Sequence, residues 1–265
     1  MKKTHVSEIV KTCVVDAGKI LLDYFGRIDR VSVKESQSSV VTAADLASEA
    51  FIVQTLMRAY PEANVIAEES GFIDKGSAYT WVVDPLDGTS NFAAGLPWFG
   101  VLVALLKGNM PVVGAAYLPC TGALYYAEVG QGVTRNGTRV HVTPETNLRN
   151  ILCAYGLDAS SDETKTQREA AALARLANGV RNVRMTNCLL DFCYTVDGRL
   201  GACVNQNTKI WDIAPIILML AEAGGLLTDV EGRALNLAVG ADYDRSYAVI
   251  GASLALHPQI LRLIA

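Results

Sequence analysis

An apolar segment that ends in aspartate constrains this chain more than any other feature of its sequence. Residues 81–83 have the composition of a buried strand and run directly into Asp84. Pro85 and Gly88 predict a tight turn that brings Asp87 back beside Asp84. Two carboxylates about 4 Å apart repel by about 4 kcal/mol at an effective dielectric of 20, unless a cation lies between them. The segment therefore predicts a site for a hard divalent cation such as Mg²⁺, which prefers oxygen ligands.

The residues after this turn predict an anion site. The backbone amides of Gly88 and Thr89 are expected at the start of a short helix, where amide groups point outward. A cation and an anion cradle in one turn indicate a phosphate ester. The simpler alternative is an Asx-type turn with two solvated aspartates, and the turn alone leaves it open.

Three further acids fall where such a site would need them, although each also has a structural explanation. Glu68 follows a predicted strand and could be a surface residue. Asp212 opens a predicted helix and could act as a cap or interact with the helix dipole. Asp45 lies three residues after Thr42, which is the spacing of a capping box. Their joint occurrence in this order favours a shared site.

Composition limits the class of protein. The 265 residues include 51% hydrophobic and 19% charged residues, which excludes a disordered chain. A net charge of −4 argues against direct nucleic-acid binding, and no apolar run reaches the roughly 18 residues that a membrane span needs. The N-terminus lacks the pattern of a signal peptide, and the six cysteines lack metal-site spacing. We expect a cytoplasmic protein with reduced thiols.

Hydrophobic periodicity predicts an α+β first half and an α/β second half. We expect residues 1–146 to form the half that binds metal and phosphate. Residues 147–265 should supply Asp212 and the wall of the substrate pocket. Helices are expected near residues 9–25, 42–60, 163–177, 211–223 and 254–264, and a helical segment is expected after residue 185 and through Asp197. Strands are expected at residues 31–33, 64–67, 81–83, three segments within 99–126, a hairpin over 133–142, and 151–155, 180–185, 201–205, 225–228 and 247–250.

These motifs together resemble the inositol monophosphatase family. The resemblance rests on Asp-Pro-Leu-Asp-Gly-Thr at 84–89, preceded by Glu-Glu-Ser at 68–70 and followed by Trp-Asp-Ile-Ala at 211–214. Residues 41–45, 114–119 and 222–225 extend it over nearly the whole chain. The resemblance implies a layered αβαβα sandwich of the sugar-phosphatase type. It also implies a Mg²⁺-dependent phosphomonoesterase that is a homodimer and sensitive to Li⁺.

The resemblance also implies roles for individual residues. Glu68, Asp84 and the carbonyl of Leu86 would hold one Mg²⁺, and a third, weaker ion would lie near Glu68. Asp84, Asp87 and Asp212 would hold the second. The amides of Gly88 and Thr89 would bind the phosphate. The Thr89 hydroxyl, oriented by Asp45, would help to take a proton from the attacking water.

The segment expected around the alcohol departs from the family pattern. Asn187 stands at a usual glycine and Leu189 at a usual alanine, with Cys188 between them. Asn205 stands seven residues before Asp212, where inositol-specific relatives carry an acid. An amide binds a hydroxyl without the assistance of charge. We therefore expect phosphatase chemistry on a small phosphorylated metabolite, and we do not expect inositol phosphate to be its natural substrate.

Alternative functions remain open at this point. Other substrates are histidinol phosphate, fructose 1,6-bisphosphate and 3′-phosphoadenosine 5′-phosphate. A second class is a non-catalytic regulatory protein on the same scaffold. A purely structural interaction domain is disfavoured, because clustered acids without a cation cost stability.

Overall fold

The structure, a computed structural model, describes residues 3–25, 31–33 and 40–265. Side chains are described from residue 6 to 25 and from 43 onward, so the predictions for Met1 and Lys2 and for the Thr42 side chain lie outside the described residues. The helices within these limits are α1 (Lys3–Tyr24), α2 (Ala43–Ala59), α3 (Thr89–Ala93), α4 (Glu163–Gly179), α5 (Leu189–Val196), α6 (Ile210–Glu222) and α7 (His257–Ile264). A 3₁₀ turn spans Leu148–Asn150.

The strands form a two-stranded ribbon and two larger sheets. The ribbon pairs β1 (Val31–Val33) with β2 (Val40–Thr42). The large sheet has the order β10-β9-β8-β7-β6-β5-β3-β4, and the small sheet has the order β12-β11-β13-β15-β14. The large-sheet strands are β3 (Asn64–Ala67), β4 (Gly71–Ile73), β5 (Tyr79–Asp87), β6 (Gly100–Lys107), β7 (Met110–Leu118), β8 (Ala123–Glu128), β9 (Gly132–Arg135) and β10 (Thr138–Val140). The small-sheet strands are β11 (Leu152–Gly156), β12 (Asn182–Arg184), β13 (Ala202–Thr208), β14 (Gly225–Asp229) and β15 (Tyr247–Ser253).

The molecule has five layers that pack around three hydrophobic cores. Successive residues of a strand point to opposite faces, so Val82 packs toward the middle of the molecule while Trp81 and Val83 pack under α1 and α2. Helices α5 and α6 fill the middle layer between the two sheets. Helices α4 and α7 cover the outer face of the small sheet. The layered αβαβα sandwich predicted from the sequence is confirmed.

The small sheet is mixed. Strand β11 pairs in parallel with β12 and β13, as expected where strands alternate with helices. Strand β15, however, is antiparallel to both β13 and β14. The α/β pattern predicted for the second half therefore holds for β11 to β13, and the last two strands close the sheet as an antiparallel edge.

Most predicted elements are present, and the main error concerns β5. We expected a strand that ends before Asp84 and a tight turn at Pro85, but β5 continues to Asp87. A bulge absorbs the proline, which cannot donate to the sheet, and Gly88 then ends the strand with φ 86°. The periodicity also missed two three-residue strands, β2 and β4, because segments this short show no clear alternation.

No helix among the described residues is both long enough and apolar enough to cross a membrane. The buried cysteines Cys13, Cys153, Cys188, Cys193 and Cys203 and the exposed Cys120 are all free thiols. The division into halves at residue 146 remains a proposal. It falls between β10 of the large sheet and the 3₁₀ turn that precedes the small sheet.

Candidate metal and phosphate site

Two parallel strands bring the first two acids together. Strand β3 pairs in parallel with β5, and Ala67 lies opposite Val83. The next residues, Glu68 and Asp84, therefore lie side by side, Glu68 directly after the end of β3 and Asp84 still within β5. The Glu68 amide still donates to the Val83 carbonyl at 3.3 Å, which continues the pairing to this point.

The bulge in β5 puts Asp84 and Asp87 on one face. Residues three apart in a regular strand point to opposite faces. Here Asp84 lies opposite Leu102 and Asp87 lies opposite Gly100, so β5 advances three residues while β6 advances two. Because Leu102 and Gly100 share a face, their partners do too. The Leu86 amide donates to Asp84 Oδ1 at 3.1 Å and fixes that carboxylate across the bulge.

The fourth carboxylate comes from the middle layer. Asp212 lies in the first turn of α6, where its Oδ2 accepts a hydrogen bond of 2.7 Å from the Lys209 amide. Asp87 Oδ1 accepts a hydrogen bond of 2.5 Å from the Leu189 amide at the start of α5. Two helix N-termini, whose dipole ends are positive, thus contact the acidic cluster.

Oxygen atoms of Asp84, Asp87 and Asp212 lie within 4.8 Å of one another. Burial, followed by the neighbouring carboxylates, raises the pKa of both Asp84 and Asp87 well above the usual value, and Glu68 is the largest charged contributor for Asp84. Burial raises the pKa of Asp212 to about 6. In this arrangement the carboxylates resist full ionisation, and a cation among them would offset their mutual repulsion.

One face of α2 supports the site, and sequence reasoning missed most of it. Asp45 is buried, and its charge is close enough to raise the pKa of Asp84. Ser48 Oγ donates to the Pro85 carbonyl at 2.8 Å, and Glu49 accepts a hydrogen bond of 2.7 Å from the amide of Glu69. The signal was available, because polar residues at positions i, i+3 and i+4 on the buried face of a helix are unusual.

The turn after β5 is shaped by the left-handed conformation of Gly88. Gly88 combines its positive φ with close packing, because a Cβ there would lie 2.5 Å from the Trp98 carbonyl oxygen. Thr89 is the first residue of α3, and its hydroxyl donates to the Leu86 carbonyl at 2.9 Å. Only glycine therefore fits at position 88 without moving the backbone.

The segment before α5 reaches the site through its backbone more than through its side chains. Asn187 has φ 55°, which is a conformation that glycine and asparagine adopt most readily. Cys188 and Leu189 are buried, and the Leu189 side chain packs in the core between the sheets. Leu189 thus contacts the site through its backbone amide, which donates to Asp87. Its side chain is buried in the core and is not placed to contact a substrate.

Two further residues hold this segment, and neither was expected from the sequence. Asn91 donates to the Thr186 carbonyl at 2.9 Å. Asp191 accepts hydrogen bonds from the amides of Thr186 and Asn187, at 3.4 and 3.2 Å, and burial raises its pKa to about 6. Polar residues one helical turn from a predicted site could have suggested both.

Comparison with known proteins is consistent with this geometry. The profile described as "Inositol monophosphatase family" matches residues 2–265. The chain belongs to this family. It is 30% identical over 262 residues to the Aquifex aeolicus "Fructose-1,6-bisphosphatase/inositol-1-monophosphatase", covering 97% of this chain and 94% of that protein. It is 31% identical over 250 residues to the Haemophilus influenzae "Nus factor SuhB", covering 94% of this chain and 91% of that protein.

Solved structures of inositol monophosphatase relatives share the whole architecture. The Bartonella henselae extragenic suppressor protein suhB superposes with a TM-score of 0.89 at 28% identity, and the match covers 98% of each chain. The chain is therefore a member of a phosphatase family in both sequence and fold. The relatives differ in the activity or role that their names state.

Proposed function

We propose that this protein is a Mg²⁺-dependent phosphomonoesterase that hydrolyses a small phosphorylated alcohol. The observation that carries the proposal is the convergence of Asp84, Asp87 and Asp212 within 4.8 Å, from a strand and a helix that are far apart in the sequence. Buried like charges of this kind cost stability unless they serve a bound cation.

The chemistry of the donors fits Mg²⁺. All candidate ligands are oxygen atoms, which hard cations prefer over nitrogen or sulfur. We propose that Glu68, Asp84 and the Leu86 carbonyl hold one ion, and that Asp84, Asp87 and Asp212 hold a second. The Leu86 oxygen accepts one hydrogen bond from Thr89 and keeps a second lone pair for a ligand. A third ion near Glu68 is part of the same proposal.

Bound Mg²⁺ supplies Lewis acidity and lowers the pKa of a coordinated water. The amides of Gly88 and Thr89 would hold the phosphate with its ester bond pointing away from the attacking water, so that the water attacks phosphorus in line with the leaving oxygen. The Thr89 hydroxyl would take a proton from that water while it passes its own proton to the Asp45 carboxylate. The new P–O bond forms as the ester P–O bond breaks, and a second water in the site gives a proton to the leaving alkoxide. The products are the free alcohol and inorganic phosphate.

The alcohol is proposed to be something other than inositol. Asn205 lacks the charge that an acid at this position would bring to hydroxyl recognition. Histidinol phosphate, fructose 1,6-bisphosphate and 3′-phosphoadenosine 5′-phosphate are the alternatives to compare. The double name of the Aquifex relative, which includes fructose 1,6-bisphosphate, supports including bisphosphates among them.

Several properties of the proposed enzyme follow from its family. We propose that it acts in the cytoplasm as a homodimer, that Li⁺ inhibits it by competing at a metal position, and that it needs no direct nucleic-acid contact. A regulatory role is the second candidate, because several relatives carry the name Nus factor SuhB. The two candidates differ in turnover, since a purely regulatory protein could bind Mg²⁺ without hydrolysing any ester.

The test is phosphate release from a panel of sugar, inositol, histidinol and nucleotide phosphates, with Mg²⁺ and with EDTA. We expect turnover only with Mg²⁺, and a loss of at least about a hundredfold in Asp84→Asn and Asp212→Asn, because each removes a metal ligand. Glu163→Gln, which removes one negative charge in the same way but at an exposed position of α4, is the matched control. Magnesium-independent turnover, or wild-type rates in Asp84→Asn, would refute the mechanism. Calorimetric Mg²⁺ binding without turnover on any ester would favour the regulatory role.

A further inference from the structure

Asp158 joins two segments beside the acidic cluster, and no role in the proposed reaction has been given to it. Its Oδ1 accepts a hydrogen bond of 2.6 Å from Asn187 Nδ2. Its Oδ2 accepts a longer one, of 3.4 Å, from Asn207 Nδ2. Asp158 is half-buried in the loop that follows β11. Among the described residues no cation forms an ion pair with it.

Each segment leads within two residues to a contact with a proposed metal ligand. Asn187 is followed two residues later by Leu189, whose amide donates to Asp87. Asn207 is followed two residues later by Lys209, whose amide donates to Asp212. The charge of Asp158 reaches both clustered aspartates, since it contributes to raising the pKa of each. Through Asn187 and Asn207, Asp158 is linked to the two segments whose amides contact Asp87 and Asp212.

A third carboxamide completes this surface. Asn205 lies opposite Gly156 in the pairing of β13 with β11. A Cβ at Gly156 would lie 2.8 Å from the Asn205 amide and 3.0 Å from Asn187 Oδ1, so both side chains pack against this glycine. The Asn207 amide donates to Asn205 Oδ1 at 3.0 Å. We call Asp158, Asn187, Asn205 and Asn207 the amide wall.

The chemistry of the amide wall is selective. It offers neutral carboxamides and one carboxylate, and the carboxylate has lone pairs beyond the two that accept from Asn187 and Asn207. A hydroxyl or ammonium group can donate to such an oxygen, and the bond gains from the charge. A second phosphate would meet a like charge here.

We propose that Asp158 determines substrate specificity: its carboxylate accepts hydrogen bonds from hydroxyl or ammonium groups of the alcohol and disfavours esters that carry a second phosphate. The inference rests on the proposed phosphatase function and narrows its substrate class to monophosphates of donor-rich alcohols.

The experiment measures kcat/KM with Mg²⁺ for wild type, Asp158→Asn and the control Glu163→Gln. The substrates are para-nitrophenyl phosphate, fructose 1-phosphate and fructose 1,6-bisphosphate. The first has no donor on its alcohol part, and the other two differ only by one phosphate. In Asp158→Asn we expect the preference for fructose 1-phosphate over the bisphosphate to fall by about tenfold, because a neutral acceptor replaces a charged one. The lower kcat/KM of Asp158→Asn for fructose 1-phosphate should come from a higher KM. The kcat/KM of Asp158→Asn for para-nitrophenyl phosphate, and the values of the Glu163→Gln control, should stay within about twofold of wild type.

Two results would overturn the inference alone: an unchanged preference in Asp158→Asn, or a wild type that prefers the bisphosphate. In both cases para-nitrophenyl phosphate would still be hydrolysed, which separates this failure from that of the proposed function. A wild type inactive on all three esters removes the phosphatase proposal and the inference with it. If Asp158→Asn does not fold, Asp158→Glu keeps the charge and should keep the preference for the monophosphate, and loss of that preference would count against the inference.

Discussion

Replacing Asp84 with asparagine should stabilise the metal-free protein while removing its activity. Asp84 takes part in two of the three carboxylate pairs within the 4.8 Å cluster. At an effective dielectric of 20, a pair of unit charges at this distance repels by about 3 kcal/mol. Asparagine is nearly the same size, and its Oδ1 can still accept the hydrogen bond that the Leu86 amide makes with Asp84.

The size of the effect depends on pH in a defined direction. The folded-state pKa of Asp84 is raised, so its carboxyl group resists ionisation only in the folded protein. The resulting loss of stability is absent well below the unfolded pKa and grows as the pH rises through the folded pKa. At pH 8 in EDTA we expect Asp84→Asn to gain about 2–4 kcal/mol in unfolding free energy, or roughly 5–10 °C in melting temperature. At pH 4 the gain should be smaller.

Thermal unfolding with and without Mg²⁺ is the assay. Magnesium at about 100 times its Kd should stabilise wild type by about 2.7 kcal/mol and the variant much less. The advantage of Asp84→Asn in unfolding free energy should therefore become smaller or change sign. Glu163→Gln should stay within about 0.5 kcal/mol of wild type in both buffers, because exposed substitutions have small effects. An Asp84→Asn protein that is less stable than wild type in EDTA at pH 8 would show that the carboxylate's favourable contacts outweigh its repulsion.

Three further substitutions test the supporting structure. Gly88→Ala should destabilise by about 1–3 kcal/mol in urea unfolding and abolish turnover, because its Cβ meets the Trp98 carbonyl and its φ is positive; a wild-type denaturation midpoint would contradict this. Ser48→Ala loses the bond to the Pro85 carbonyl and should weaken Mg²⁺ binding in calorimetric titration, at a cost of about 1–2 kcal/mol in stability; unchanged affinity would exclude a positioning role. Asp191 has a pKa raised to about 6, so Asp191→Asn should gain stability relative to wild type as the pH rises from 4 to 7; a pH-independent difference would show that its charge costs nothing.

The sequence predicted the elements that carry strong patterns and missed those that depend on distant contacts. The apolar strands around residues 64–67 and 81–83 were expected, and so was the acid at the end of each. The bulge was not expected, because the pairing partner that reveals it, β6, lies beyond the turn in the sequence. A proline between two aspartates indicated a turn locally, whereas tertiary pairing kept the segment extended.

The candidate site shows the same division. Glu68, Asp84, Asp87 and Asp212 could be selected from motif and order, and the structure brings the last three into one cluster. The amide wall could not be foreseen, since its contacts join a loop after β11 to residues before α5 and α6. Asp158 carries no local sign of its position, because only the parallel pairing of β11 with β13 brings it there.

Because α6 lies between the two sheets, the proposed ion binding would depend on assembly of the whole molecule. Asp84 and Asp87 emerge from a nascent chain long before Asp212, so a partly synthesised protein lacks one of the three clustered carboxylates. The set of ligands is complete only when α6 packs against the large sheet and the small sheet covers it. High magnesium affinity would then arise only once the fold is complete. A bound ion would in turn stabilise the contact between the layers.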